Sequence, residues 1–318
     1  MYILEFEKPI IALKQKIKEL KDRQAGDPDP KLDKEIGKLE KQTLKLEEST
    51  YSTLSPWEKT LVARHPLRPY TLDFIEHCTT EFQELHGDRT FRDDPAIVGG
   101  FGKIDGQTFL IVGHQKGRNT QENVSRNFGM PHPEGYRKAL RLMKMAERFS
   151  IPILTLIDTP GAYPGIGAEE RGQSEAIAVN LREMAVLGVP IIAVVTGEGG
   201  SGGALALGVA DRVLMYDHSI YSVISPEGCA GILFGDGTRA QEAARSLRYS
   251  SADLLEFGLI DEIIPEPLGG AHANPVECMN NLKEVVLKQF DQLKDNSSET
   301  LIEDRYQKFR KMGEFAEG

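Results

Sequence analysis

The chain has 318 residues, enough for one large domain or two ordinary ones, and its 40% apolar content supports a sizeable core. A formal net charge of −10 argues against nucleic acid as the main partner. Cys78, Cys229 and Cys278 stand far apart without a CxxC, which excludes a disulfide framework and a self-contained zinc site and suits a reducing, cytoplasmic compartment.

The opening MYILEFEKPI carries no basic-then-apolar signal pattern, and no run of about eighteen apolar residues follows, so neither export nor a membrane span is expected. Residues 1–50 read as a helical hairpin. Phe6, Ile10, Leu13, Ile17 and Leu20 are spaced four, three, four and three apart, and the pattern resumes at Leu32, Ile36, Leu39, Thr43 and Leu46. Asp27-Pro28-Asp29-Pro30 breaks it between the two halves. Its charges balance, eleven basic against eleven acidic, so both a helix pair packed on its own chain and an arm gripping another subunit are open.

Residues 51–295 read as one α/β body. A helix is expected over Thr71–Leu85. Ile97–Ile104 and Gln107–Val112 flank Asp105-Gly106, a type I′ hairpin signal. Residues 113–134 form a long polar loop, of a length that is usually functional or mobile. It holds Lys116 and Arg118, two cations placed to meet a phosphate or carboxylate or to remain solvated. Gly135–Phe149 reads as a helix with Tyr136, Ala139, Leu140 and Met143 inward. Arg137, Lys138, Arg141, Lys144 and Arg148 fill most of the rest, as a solvated cationic face or as a surface for docking an anion. Later elements are strands at Arg212–Tyr216, Ser219–Ser225 and Leu259–Ile264. Helices are expected from Pro226, over Ala240–Leu247, Ala252–Phe257 and Pro275–Leu293, and a charged tail over 296–318.

Two stretches share one design. Ile151–Asp158 is a buried-strand pattern running into Thr159-Pro160-Gly161-Ala162-Tyr163-Pro164-Gly165. Ile191–Val195 is another, followed by Gly197, Gly199, Gly200, Gly202, Gly203 and Gly208 around a helix start. Glycine at the carboxyl end of a strand lets a ligand reach backbone with no Cβ in the way. The first N–H groups of a helix lack intrahelical partners and sit at the positive end of its dipole, which suits an oxyanion.

The stretches GMPHPEGYRKALRLMKMAERFSIPILTLIDTPGAYPGIGAEERGQSEAIA, VVTGEGGSGGALALG and YSVISPEGCAGIL closely resemble the carboxyltransferase α-subunit family of bacterial-type acetyl-CoA carboxylases, over about residues 5 to 290. The resemblance implies a crotonase-like (ClpP/crotonase) α/β fold, a spiral of ββα units. It implies half of an α₂β₂ heterotetramer working with a biotin carboxyl carrier protein and, in the larger complex, biotin carboxylase. The activity implied is transfer of carboxylate from carboxybiotin on that carrier to acetyl-CoA, giving malonyl-CoA at the first step of fatty acid biosynthesis. Zinc is implied only in the partner β chain. By motif correspondence, backbone N–H groups of Gly202, Gly203 and Ala204 form the oxyanion hole for biotin. Gly161, Ala162, Lys116 and Arg118 line the substrate cleft.

Such a reaction needs two developing anions stabilised and no protein nucleophile, so preorganised N–H donors are what the chain must supply. Asp158, Glu198, Glu169, Glu170 and Arg171 are tempting side chains, with capping and loop-bracing roles the simpler reading for Asp158 and Glu198. A competing reading takes Gly199-Gly200-Ser201-Gly202-Gly203 as a G-x-S-x-G nucleophile elbow with His218 or His272 as base, a serine hydrolase. A third is a catalytically silent interaction subunit built on the hairpin.

Overall fold

The computed structural model describes residues 2–26 and 29–313; Asp27 and Pro28 of the expected hairpin break and the last five residues of the expected tail lie outside them. The frame is one mixed sheet of eight strands: β1 (Thr80–Glu84), β2 (Ile97–Ile104), β3 (Gln107–His114), β4 (Ile153–Thr159), β5 (Ile191–Gly200), β6 (Arg212–Tyr216), β7 (Ile220–Ser222) and β8 (Glu262–Ile264). The order is β1-β2-β3-β4-β5-β6-β8, with β7 pairing the far end of β5. β1, β2 and β3 are antiparallel, and β3 onward pair in parallel.

Alternation along the strands builds two cores. Leu110 and Val112 face helices Pro133–Arg148 and Gln173–Met184, among Tyr136, Ala139, Met143, Ala176 and Met184. Phe109 and Ile111 face the other way, onto helices Thr71–Cys78 and Pro275–Leu293, among Phe74, Ile75, Leu282 and Val286. Successive strand residues point to opposite faces, so an all-apolar strand such as Ile191–Val195 serves both layers at once. The Asp105-Gly106 turn has φ of 46° and 85°, the left-handed pair that a type I′ hairpin requires.

Four expectations are corrected. The Thr71–Leu85 helix stops at Cys78, and Thr80–Glu84 becomes the edge strand β1. Gln83 and Glu84 pair with Phe101 and Gly100, and Phe82 packs on the bare Cα of Gly102, so sheet pairing outweighs helical patterning. The strand expected over Ser219–Ser225 is confined to Ile220–Ser222. Lys138 is not on a solvated face: it is buried, with Nζ 2.6 Å from Asp93 and 2.8 Å from the Asp94 carbonyl. The segment expected as a charged tail holds helix Ser298–Arg310. Arg305 is buried there, bonded to both Asp211 carboxylate oxygens and to the carbonyls of Met184, Leu187 and Val189.

The N-terminal hairpin comprises helices Lys8–Gly26 and Pro30–Tyr51. Ile17, Leu20, Ile36 and Leu39 close on one another, so the outer half buries its own seam. The base docks through Leu4, Ile10 and Tyr51 onto Val62. A polar clasp secures it: Glu7 Oε1 accepts from Tyr51 Oη at 2.6 Å and pairs with His272 Nε2 at 2.9 Å, and the His272 and His65 rings stack with centroids 3.8 Å apart. Burial pushes the Glu7 carboxyl up, but the hydrogen bonds from His272, Tyr51 and the Leu4 N–H outweigh it and hold it at about 2. Ligand atoms of Glu7, His65 and His272 lie within 4.8 Å of one another, as a metal site requires. In this structure the Glu7 carboxylate is taken up by Tyr51, His272 and the Leu4 N–H. The arrangement is therefore that of a clasp.

Candidate active site

The two glycine turns meet at the carboxyl ends of β4 and β5. β5 continues through its glycines to Gly200 instead of ending at Val195, and the helix begins at Ser201 and lasts only to Leu205. The missing side chains explain both facts. A Cβ on Gly197 would lie 2.5 Å from Asp158 Oδ1, and one on Gly200 would lie 2.2 Å from the Pro160 carbonyl oxygen. A Cβ on Gly203 would lie 2.4 Å from Ala162 N and 2.5 Å from Gly161 C. Bare glycines thus allow the strand and the helix start to be pressed against the Thr159–Ala162 turn. Sequence reading placed the two turns side by side; the structure puts them in direct contact.

Gly202 is half-buried beside Ile177, while Gly203 and Ala204 are buried. These residues follow Ser201 in the first turn of the helix, where N–H groups have no intrahelical partner. Gly161 differs from expectation. Its N–H donates to Thr159 Oγ1 at 3.1 Å while Thr159 donates to the Gly161 carbonyl at 2.7 Å, so Gly161 shapes the turn and is not a free donor. Its φ of 153° is one that only glycine adopts without strain. Ala162 is half-buried and follows it directly, against Gly203.

The side chains expected in the cleft are committed to one another. Lys116 Nζ pairs with Asp158 Oδ1 at 2.6 Å. Burial pulls the Lys116 ammonium down, and Asp158 and Glu198 outweigh that and raise it, so it stays charged. Asp158 Oδ1 also accepts the Glu198 N–H at 2.9 Å, bracing β5 against β4. Glu198 is held by Arg64 at 2.6 Å, and the same guanidinium reaches Glu227 at 2.6 Å on helix Pro226–Phe234. Arg118 is engaged within the chain. It donates to the carbonyls of Pro66 and Arg68, pairs with Asp73 and lies 3.9 Å over the Tyr70 ring. Lys116 and Arg64 thus tie up the Asp158 and Glu198 carboxylates that stand beside the turns.

Sequence reading missed Arg64 and Arg68. Arg68 is buried beside Glu266 at 2.7 Å and donates to the Thr196 carbonyl on β5. Its only sequence signal was the polar His65-Pro66 and Arg68-Pro69 run, which names no partner. His114 closes β3 behind the site, buried, and that burial pushes its imidazole down to about 4.

The nucleophile-elbow reading finds no base in place. Ser201 is exposed with φ of 57°, a strained elbow conformation, but among the described residues no histidine hydrogen-bonds it. His272 sits in the clasp with Glu7, and the His218 ring packs against the Tyr51 ring.

Residues 3–313 match a family model described as acetyl co-enzyme A carboxylase carboxyltransferase-like. The chain is 61% identical over 316 residues to a protein named acetyl-coenzyme A carboxylase carboxyl transferase subunit alpha from Geobacter metallireducens, covering 99% of each. It is 57% identical over 312 residues to the like-named protein of Vibrio atlanticus, covering 98% of each. Among solved structures it resembles transcarboxylase 12S (TM-score 0.57, 20% identity, 72% of this chain and 43% of that one). It also resembles a Pseudomonas malonate decarboxylase hetero-tetramer in complex with coenzyme A (TM-score 0.55, 17% identity, 67% and 85%). The latter two fix the fold as crotonase-like; the family model and the full-length relatives place the chain in the acetyl co-enzyme A carboxylase carboxyltransferase family, as an α subunit.

Proposed function

We propose that the paired glycine turns are the seat of the carboxyl transfer that this family carries out, from carboxybiotin to acetyl-CoA to give malonyl-CoA for fatty acid synthesis. The observation that carries this reading is the contact of the Gly203 region with Ala162, which converges two sets of backbone donors at adjacent parallel-strand ends. Carboxybiotin, presented by its carrier protein, supplies the activated carboxyl group.

This chain's part is electrostatic and positional. The N–H groups of Gly202, Gly203 and Ala204, with that of Ala162, hold the ureido oxygen as negative charge develops there. Such donors cost no reorganisation during the reaction, and loss of one typically costs about 10²–10³ in rate. Gly161 and Thr159 set the turn that aims Ala162. Lys116, Asp158, Glu198 and Arg64 hold the two strand ends in register and exclude an unpaired carboxylate from the cleft. No acid–base dyad is needed for this chemistry.

The acetyl-CoA side falls to a β-type subunit, which also carries any zinc, in an α₂β₂ assembly served by the biotin carboxyl carrier protein and biotin carboxylase. Among the described residues no helix is long and apolar enough to cross a membrane; the compartment proposed is the cytoplasm. Purified chain alone is expected to be inactive and to gain malonyl-CoA synthesis on mixing with the β subunit. Substantial turnover without the partner refutes the division of labour. Ser201→Ala is expected to keep most activity; a dead variant, together with fluorophosphonate labelling of the wild-type chain, restores the hydrolase reading.

A further inference from the structure

Behind the glycine turns stands a buried hydroxyl with nothing to bond. Tyr136, in the first turn of helix Pro133–Arg148, has no solvent exposure, and its Oη has no hydrogen-bond partner. A phenol so placed costs stability, since a buried unsatisfied polar group typically forfeits about 1–3 kcal/mol. The location is specific. Tyr136 Oη lies 2.9 Å from the point where a Gly203 Cβ would stand, the same point that is 2.5 Å from Gly161 C. It therefore touches the seam between the two turns.

The surroundings share the pattern. Asn180 ties the Tyr136 carbonyl to the Ala206 carbonyl through Nδ2 at 3.2 Å each, linking the phenol's helix to the end of the Gly203 turn. Asn180 Oδ1 is itself without a partner, as are Gln173 Oε1 and Glu134 Oε2. Gln173 holds the carbonyls of Pro131 and Tyr163, on the far side of the first turn. A polar layer with unused hydrogen-bonding capacity thus backs the seam. The Gly161 carbonyl oxygen has two lone pairs and spends one on Thr159 Oγ1.

We propose that Tyr136 is a positioning residue for the carboxyl transfer: its hydroxyl donates to the Gly161 carbonyl when an anion loads the turns, fixing the aim of the Ala162 N–H. The inference rests on the turns being the seat of the reaction. The hydroxyl is idle in the unloaded arrangement and engaged in the loaded one, so it acts on the rate and not on the resting fold.

The test is Tyr136→Phe in the complex assembled with the β subunit, which keeps the ring and removes only the oxygen. Thermal unfolding should be unchanged or shifted upward, because no bond is lost. The kcat for malonyl-CoA formation should fall about five- to tenfold, the effect of one hydrogen bond, with KM for both substrates unchanged. A variant with wild-type kcat overturns the proposal. So does one whose melting temperature and kcat fall together, which assigns the phenol to packing. Gly203→Ala, assayed beside it, separates the two levels: an active Gly203→Ala removes the oxyanion reading itself, whereas a damaged Gly203→Ala with a fully active Tyr136→Phe removes only the role of Tyr136.

Discussion

Replacing Gly203 by alanine adds one methyl group at the seam of the proposed oxyanion site. Its Cβ would stand 2.4 Å from Ala162 N and 2.5 Å from Gly161 C, both backbone atoms that cannot swing aside. Ordinary contact begins near 3.4 Å, so the turns must separate by about 1 Å. Misplacement of that size alone costs about 10² in rate, and loss of one donor costs about 10²–10³. The overpacking itself should cost about 1–3 kcal/mol of stability. Gly202→Ala is the control, one residue away: its Cβ would meet only Ile177 side-chain carbons at 3.8 Å, an ordinary contact, so stability should move by no more than about 0.5 kcal/mol. Malonyl-CoA formation by each variant, assembled with the β subunit, gives the rates; chemical denaturation of the α chain gives the stabilities. A Gly203→Ala enzyme within threefold of wild-type kcat, or a Gly202→Ala chain as destabilised as Gly203→Ala, would refute the reasoning.

Arg305→Met should cost about 3–5 kcal/mol, because it strands the buried Asp211 carboxylate without its cation; urea denaturation checks this, and a loss below 1 kcal/mol would show that the C-terminal helix is dispensable. Stability should fall on acidification from pH 6.5 toward 4 with a share carried by His114. Its imidazole is held at about 4 when folded, so the unfolded state binds the extra proton, and the slope is about 1.4 kcal/mol per pH unit. His114→Gln should flatten that part of the pH profile, and an unchanged slope would remove His114 as its source. Deleting residues 1–48 should leave the sheet folded and weaken assembly with the β subunit, with turnover recovered at high protein concentration. Sedimentation of the mixture reads this, and an intact tetramer without activity would place the hairpin in the active site instead.

Much of the architecture was legible because it rests on local rules. The Asp105-Gly106 turn needs residues that tolerate positive φ, and β2 and β3 follow on either side of it. The helix expected over Pro275–Leu293 is present, and it opens on local chemistry, with Asn274 capping the Glu277 N–H and proline at its first position. The edge strand β1 was not legible, because Thr80–Glu84 owes its extended form to pairing with Phe101 and Gly100 some seventeen residues away in the chain. The helix Ser298–Arg310 was hidden for a related reason. Its buried anchor is an arginine, and only the distant Asp211 and three carbonyl groups make burial of that charge favourable.

The sequence by itself determined that two glycine-rich turns follow buried strands, that the chain is α/β, and which family its motifs resemble, since strand periodicity and glycine density are properties of neighbouring residues. Only the tertiary structure decided how the cleft is charged. Lys116 meets Asp158, Arg118 meets Asp73 and Arg64 meets Glu198 and Glu227 across separations that no local pattern encodes. It also decided that Gly203 is pressed on Ala162 and Tyr136 Oη. Which backbone atoms occupy the space that a missing Cβ leaves depends on how β4, β5 and helix Pro133–Arg148 pack together.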